Sequence, residues 1–181
     1  MHYKLVYTIC PGKSILTTDA LAVWGKCGMM EENQRRGGRD MADQRPLVVV
    51  VDGHGGGMGK ALVARLRERL PQVHVRAVGT NSAATEAMLK GGAEDGATGE
   101  NAVIFNVGKA DFVVGSVAIV MANGLMGEIS PRMAQAVGES DAIKVLIPAN
   151  RCGIRMAVGE ELPLRRYLDS CVDLIAAELD G

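Results

Sequence analysis

The feature that most constrains this chain is the run from Leu47 to Lys60, reading LVVVVDGHGGGMGK. Five consecutive aliphatic residues, Leu47 to Val51, show no polar alternation, which fits a strand buried on both faces of a parallel sheet. Asp52 then meets five glycines within seven residues: Gly53, Gly55, Gly56, Gly57 and Gly59, interrupted by His54 and Met58 and followed by Lys60. A loop nearly free of side chains lets a ligand approach the backbone, and the helix that follows offers unpaired N–H groups at the positive end of its dipole. Strand, bare loop and helix mouth together make a site for an anion, most often a phosphate.

Two phosphate templates fail on this loop. A P-loop needs glycine five positions before its Gly-Lys pair and a hydroxyl after it, but His54 and Ala61 stand there. The GxGxxG dinucleotide fingerprint places its third glycine one residue too early for Gly59. The spacing GxxxGxG does fit, as Gly53, Gly57 and Gly59. In that spacing the loop resembles the cofactor loop of short-chain dehydrogenases and reductases, which implies a nicotinamide dinucleotide, NAD or NADP. The same family's Tyr-x-x-x-Lys pair is missing, because Tyr3, Tyr7 and Tyr167 are followed four places on by Tyr7, Pro11 and Cys171. A conventional reductase is therefore disfavoured, and no catalytic residue is assigned.

From Pro46 onward the chain alternates extended and helical grammar. Leu62, Leu66 and Leu70 recur at helical spacing with charged residues on the other faces, and Pro71 stops the helix. Val73 to Val78 reads as a second strand, Asn81-Ser82 as a helix cap before a helix ending at Lys90, and Ala93 to Thr98 as a third strand. A helix over Glu100 to Val107, a strand over Asp111 to Val114, a helix over Val117 to Leu125 and another from Ser130-Pro131 to Gly138 follow. Ala142 to Ile147 reads as a fifth strand, Ile154 to Val158 as a candidate sixth, and Pro163 to Leu179 as a closing amphipathic helix with Leu164, Leu168, Cys171, Val172, Ile175 and Leu179 inward. This rhythm predicts a three-layer, Rossmann-like α/β domain over residues 46–181, with a mostly parallel sheet of five or six strands. Residues 1–45 are expected to be a flexible or non-native extension with Met41 as a start, a hypothesis motivated by the chemistry beginning only at Pro46. Peptides from Thr8 to Trp24 in the natural protein would sink it.

Residues 47–150 resemble a small, functionally uncharacterised bacterial family that shares a DGxGGGxGK loop, a GTN turn and an ATGENA segment. Here these are Asp52 to Lys60, Gly79 to Asn81, and Ala97 to Ala102. The resemblance implies the fold and no activity.

Open parallel sheets bind ligands along the carboxyl edge of their strands. Residues expected there are Asp52 to Lys60 throughout, then Gly79, Thr80, Asn81 and Ser82 after the second strand, and Thr98, Glu100 and Asn101 after the third. Gly115, Ser116 and Asn150 share the edge, whereas Asn123 and Glu128 read as local turn chemistry. No acid follows the second strand, where dinucleotide binders often place one for the ribose, and Arg76 lies within the strand.

Composition narrows the partners. A net charge of −1 and 3% aromatic residues supply neither the basic surface nor the stacking platforms of a nucleic-acid binder. The apolar runs are far short of the roughly 20 residues that span a bilayer, so no membrane partner and a cytoplasmic location are expected. The four cysteines form no CxxC pair, the three histidines complete no ligand spacing, and no metal site is assigned. The Met-rich stretch Met121 to Met133 is a candidate homodimer face. The function expected is binding of a phosphate-bearing nucleotide or dinucleotide, with a non-catalytic regulatory or assembly module as the alternative.

Overall fold

Valine-rich segments and amphipathic helices come together here as a doubly wound α/β unit. The computed structural model describes residues 44–148, 155–156 and 162–180, all within one compact unit, Arg39–Gly181. The extension expected over residues 1–45 lies outside the described residues apart from its last two. Asn150, Cys10, Cys27 and Cys152 lie outside them as well. Of the candidate sixth strand only Arg155 and Met156 are described, and neither is in a strand.

Five strands, β1 (Leu47–Asp52), β2 (His74–Gly79), β3 (Asp95–Thr98), β4 (Phe112–Ser116) and β5 (Ile143–Ile147), form one sheet in the order β3-β2-β1-β4-β5. Every pairing is parallel, with Val50 opposite Ala77 on one side and Val114 on the other. All six residues of β1 are buried, as its unbroken apolar run requires of a central strand.

The helices are α1 (Gly57–Arg69), α2 (Ser82–Lys90), α3 (Glu100–Val107), α4 (Pro131–Glu139) and α5 (Leu164–Asp180). Alternate residues of β1 feed two cores. Val48 and Val50 join Leu62 and Leu66 of α1, Met88 of α2 and Val172 and Ile175 of α5, while Val49 and Val51 join Val103 of α3 and Met133 and Val137 of α4. Each large aliphatic side chain fully withdrawn from water contributes about 1.5–3 kcal/mol before the cost of ordering it. Cys171 belongs to the first core, and burial pushes its thiol up to about 11, consistent with a packing role.

Three local expectations are corrected. The helix expected over Val117 to Leu125 is two short 3-10 turns, Val117–Val120 and Leu125–Gly127. Ser116 Oγ caps the first through the Ala118 amide at 3.3 Å, and the chain then passes through left-handed Asn123, Leu125, Met126 and Gly127, which no continuous helix allows. Leu164, expected inward, is 47% exposed because it opens the first turn of α5, ahead of the helix's contact with the sheet. Met133, expected on a dimer face, is in the core, and Met126 of the same stretch is 85% exposed. Among the described residues no helix is long and apolar enough to cross a membrane.

Candidate functional site

Strand order reverses between β1 and β4, since the chain leaves β1 toward β2 but reaches β4 from the opposite edge. At such a switch point the connections part and a crevice opens beyond the carboxyl ends of the strands. The glycine loop sits there, between β1 and α1.

Asp52, the last residue of β1, is buried and turns its carboxylate back on the loop. Oδ1 accepts the Gly53 amide at 2.9 Å and Oδ2 accepts the Gly59 amide at 2.7 Å. Burial pushes its carboxyl above the ordinary Asp value, and the Gly59 and Gly53 amides oppose that rise. The glycines divide into two kinds. A Cβ at Gly56 would lie 2.7 Å from the backbone of Ala84, and the residue is left-handed (φ +68), while one at Gly59 would lie 2.6 Å from Met88 Sδ and 2.8 Å from Asp52 Cβ. One at Gly53 would strike Glu128 and Thr80. At Gly55 and Gly57 a Cβ would meet nothing within 4 Å, and neither has a positive φ. The fold therefore requires glycine at Gly56 and Gly59, fills the space beside Gly53 with the Glu128 and Thr80 side chains, and leaves Gly55 and Gly57 bare for no reason of its own.

The amides divide in the same way. Gly56 donates to the Gly53 carbonyl at 2.9 Å, and Lys60 donates to the Gly56 carbonyl at 2.8 Å. The N–H groups of Gly55, Gly57 and Met58 have no acceptor among the described residues, and the α1 N-cap, Gly56, supplies no side-chain bond. These are orphan donors at a helix start.

Thr80 and Asn81 arrive from the end of β2, where Thr80 N–H continues the ladder to the Asp52 carbonyl at 3.0 Å. Asn81 caps α2 by accepting the Ala84 amide at 2.9 Å, and its Nδ2 donates to the His54 carbonyl at 3.0 Å. Both residues also donate to Glu128, a residue that the sequence reading assigned to a local turn. One oxygen, Glu128 Oε2, accepts the His54 amide at 2.8 Å, the Asn81 Nδ2 at 3.2 Å and the Thr80 hydroxyl. The Thr80 hydroxyl holds the Glu128 carboxyl below its ordinary value against the opposing effect of burial, with the His54 amide and Asn81 adding to the lowering. His54 Nε2 lies 3.1 Å from the Leu125 carbonyl, so loop and 3-10 segment meet at two points.

Other expected residues lie apart from this cluster. Lys60 is exposed and forms no ion pair among the described residues; its backbone packs on Gly91 at the end of α2. Ser82 is exposed at the first position of α2. Gly79 has no room for a Cβ beside Thr85, and the Thr98 hydroxyl bonds Thr85 Oγ1 at 2.7 Å. Glu100 pairs with Arg132 at 3.1 Å, and Asn101 is exposed beside it. Arg76 is committed to Asp95 and Asn106 and faces no ligand crevice. Among the described residues no three His, Cys, Asp or Glu side chains gather as metal ligands.

Glu128 was missed because it lies 74 residues from His54 in sequence. The signal available was weak: an acid flanked by glycines and an apolar anchor, in the one segment whose helical pattern is interrupted by Gly124 and Gly127.

Sheet order, switch point and glycine turn define the class: a Rossmann-like α/β protein. Residues 47–180 match DUF3842, described as a domain of unknown function, and the chain belongs to that family. Among solved structures it is similar to a dodecameric FMN-dependent UbiX-like decarboxylase from Escherichia coli O157:H7. The identity is 16% and the TM-score 0.43, over 75% of this chain and 94% of that one, a likeness too distant to carry function. No curated protein matches the chain.

Proposed function

We propose that the carboxyl edge of β1 and β2 binds a small phosphate-bearing ligand of the nucleotide or dinucleotide class, NAD and NADP included. The reading rests on Gly55 and Gly57, two glycines that neither packing nor backbone conformation requires, facing open space beside three unpaired amides. Bare main chain of that kind lets phosphate oxygens come within hydrogen-bond distance, and the α1 dipole favours their charge. The Gly55, Gly57 and Met58 amides would hold the phosphate, with the Thr80 hydroxyl and Asn81 amide as side-chain donors next to it. Lys60 contributes long-range charge only.

The test is a thermal-shift panel of ADP, NAD, NADP and FMN on the full chain, repeated with Gly57→Val. Valine fits the open space, so the variant's own melting temperature should stay within a few degrees, while the ligand-induced shift should disappear. A ligand that stabilises both proteins equally binds elsewhere and removes the reading. A regulatory or assembly module remains the second reading, favoured by the Glu128 contact, which ties the site to a segment outside the core.

A further inference from the structure

The Glu128 carboxylate occupies a position that an anionic ligand would claim. Three donors converge on one of its oxygens, and none is a cation: a backbone amide, a hydroxyl and a carboxamide. Among the described residues no lysine or arginine pairs with it. Two of these donors, the Thr80 hydroxyl and the Asn81 carboxamide, are groups that would also receive a phosphate oxygen bound at the neighbouring Gly55, Gly57 and Met58 amides, and two anions cannot share them.

The segment carrying Glu128 is built to lift. Its ends are pinned by fully buried Ile119 and Ile129, and between them residues 122–127 contribute no buried side chain. It closes on itself through Asn123 N–H to the Ile129 carbonyl at 2.7 Å and Ile129 N–H to the Gly124 carbonyl at 3.1 Å. Leu125 and Met126 are left-handed, a conformation costly for such side chains, and so is Asn123, which adopts it more readily. The polar contacts holding this strap to the glycine loop are the Glu128 carboxylate and the His54 ring against the Leu125 carbonyl, beside a half-buried Leu125 side chain that packs on the second core next to Gly53.

We propose that Glu128 is an internal competitor for the anion site: a ligand phosphate entering the loop displaces its carboxylate from His54, Thr80 and Asn81 and frees the strap over residues 121–128. This rests on the phosphate reading above and adds a consequence to it. Ligand binding would be reported at the surface by a segment that carries exposed Met126 at its tip, which couples the site to whatever meets that surface.

The experiment is calorimetric titration of the full chain with ADP, for the wild type, Glu128→Gln, Glu128→Ala and Gly57→Val, together with amide hydrogen exchange of the wild type with and without ADP. Removing the competitor should tighten ADP binding by about tenfold in both Glu128 variants. In the wild type, ADP should slow exchange at residues 55–58 and speed it at residues 121–128, a readout that needs no variant to fold. Weaker binding in the Glu128 variants would make Glu128 a ligand-holding residue, and slower exchange of the strap would make it a closing clamp. Either overturns the competitor while leaving ADP binding sensitive to Gly57→Val. ADP binding untouched by Gly57→Val, or absent from all four proteins, overturns the phosphate reading and the competitor with it.

Discussion

The two ends of the sheet handle charge in opposite ways. Around the amino ends of β2 and β3, cations and acids are matched: Arg45 pairs with Glu94 at 2.5 Å, Arg67 with the same carboxylate, and Arg76 with both oxygens of Asp95 at 2.6 Å. His74 lies 3.1 Å from Asp95, and Arg76 also donates to Asn106. At the carboxyl ends of β1 and β2, the acids Asp52 and Glu128 are held by amides, a hydroxyl and a carboxamide, with no lysine or arginine among the described residues. A network of opposite charges is complete in itself and serves to fix an edge strand. Around Glu128, an acid held only by neutral donors leaves those donors open to displacement by another anion, and the unpaired amides of Gly55, Gly57 and Met58 nearby mark the end of the sheet where exchange can occur.

The largest expected effect is at Asp52. Asp52→Ala strands the Gly53 and Gly59 amides in the interior and should cost about 2 kcal/mol in urea unfolding, with Asp52→Asn, which keeps one acceptor, losing about half of that. Next comes the matched end: Arg76→Ala should cost about 0.5–1 kcal/mol, screened because Asp95 is partly exposed, and should leave ADP binding unchanged. A larger loss at Arg76 than at Asp52 would reverse the contrast.

The pH dependence sharpens it. Neighbouring guanidinium groups hold Glu94 and Asp95 below their ordinary values of 4.5 and 3.8, Glu94 chiefly through Arg45 and Asp95 through Arg76 against its own burial. Their stabilisation is present above those values and is lost as pH falls through the lower folded-state values. Asp52 is shifted upward by burial, so its contribution runs the other way and fades as pH rises through its folded value above 3.8. Glu128 is lowered, so at the carboxyl end the two acids oppose each other. Urea midpoints followed downward from pH 6 should therefore fall less steeply in Glu94→Gln and in Glu128→Gln than in the wild type. The smallest effect is Met126→Ser, which should change stability by less than about 0.5 kcal/mol because the side chain is 85% exposed.

Much of the fold was legible from local pattern. The unbroken apolar run of β1 announced a central parallel strand, Leu62 and Leu66 announced α1, and Ser130-Pro131 announced α4, whose Ser130 Oγ indeed accepts the Met133 amide at 3.2 Å. Each depends on period or capping, which a few neighbouring residues carry. The strap defeated the same reasoning, because Val117 to Leu125 has helical composition while its backbone answers to Ile119 and Ile129 seated in a distant core.

Residue type and spacing alone determined the alternating α/β architecture and the glycine loop at its first junction, since hydrophobic period and missing side chains are local properties. Only the tertiary structure decided which glycines the fold needs, which amides remain unpaired, and that Glu128 reaches the loop from 74 residues away. Those facts depend on which atoms approach one another across the carboxyl edge, and that is set by the packing of several elements together.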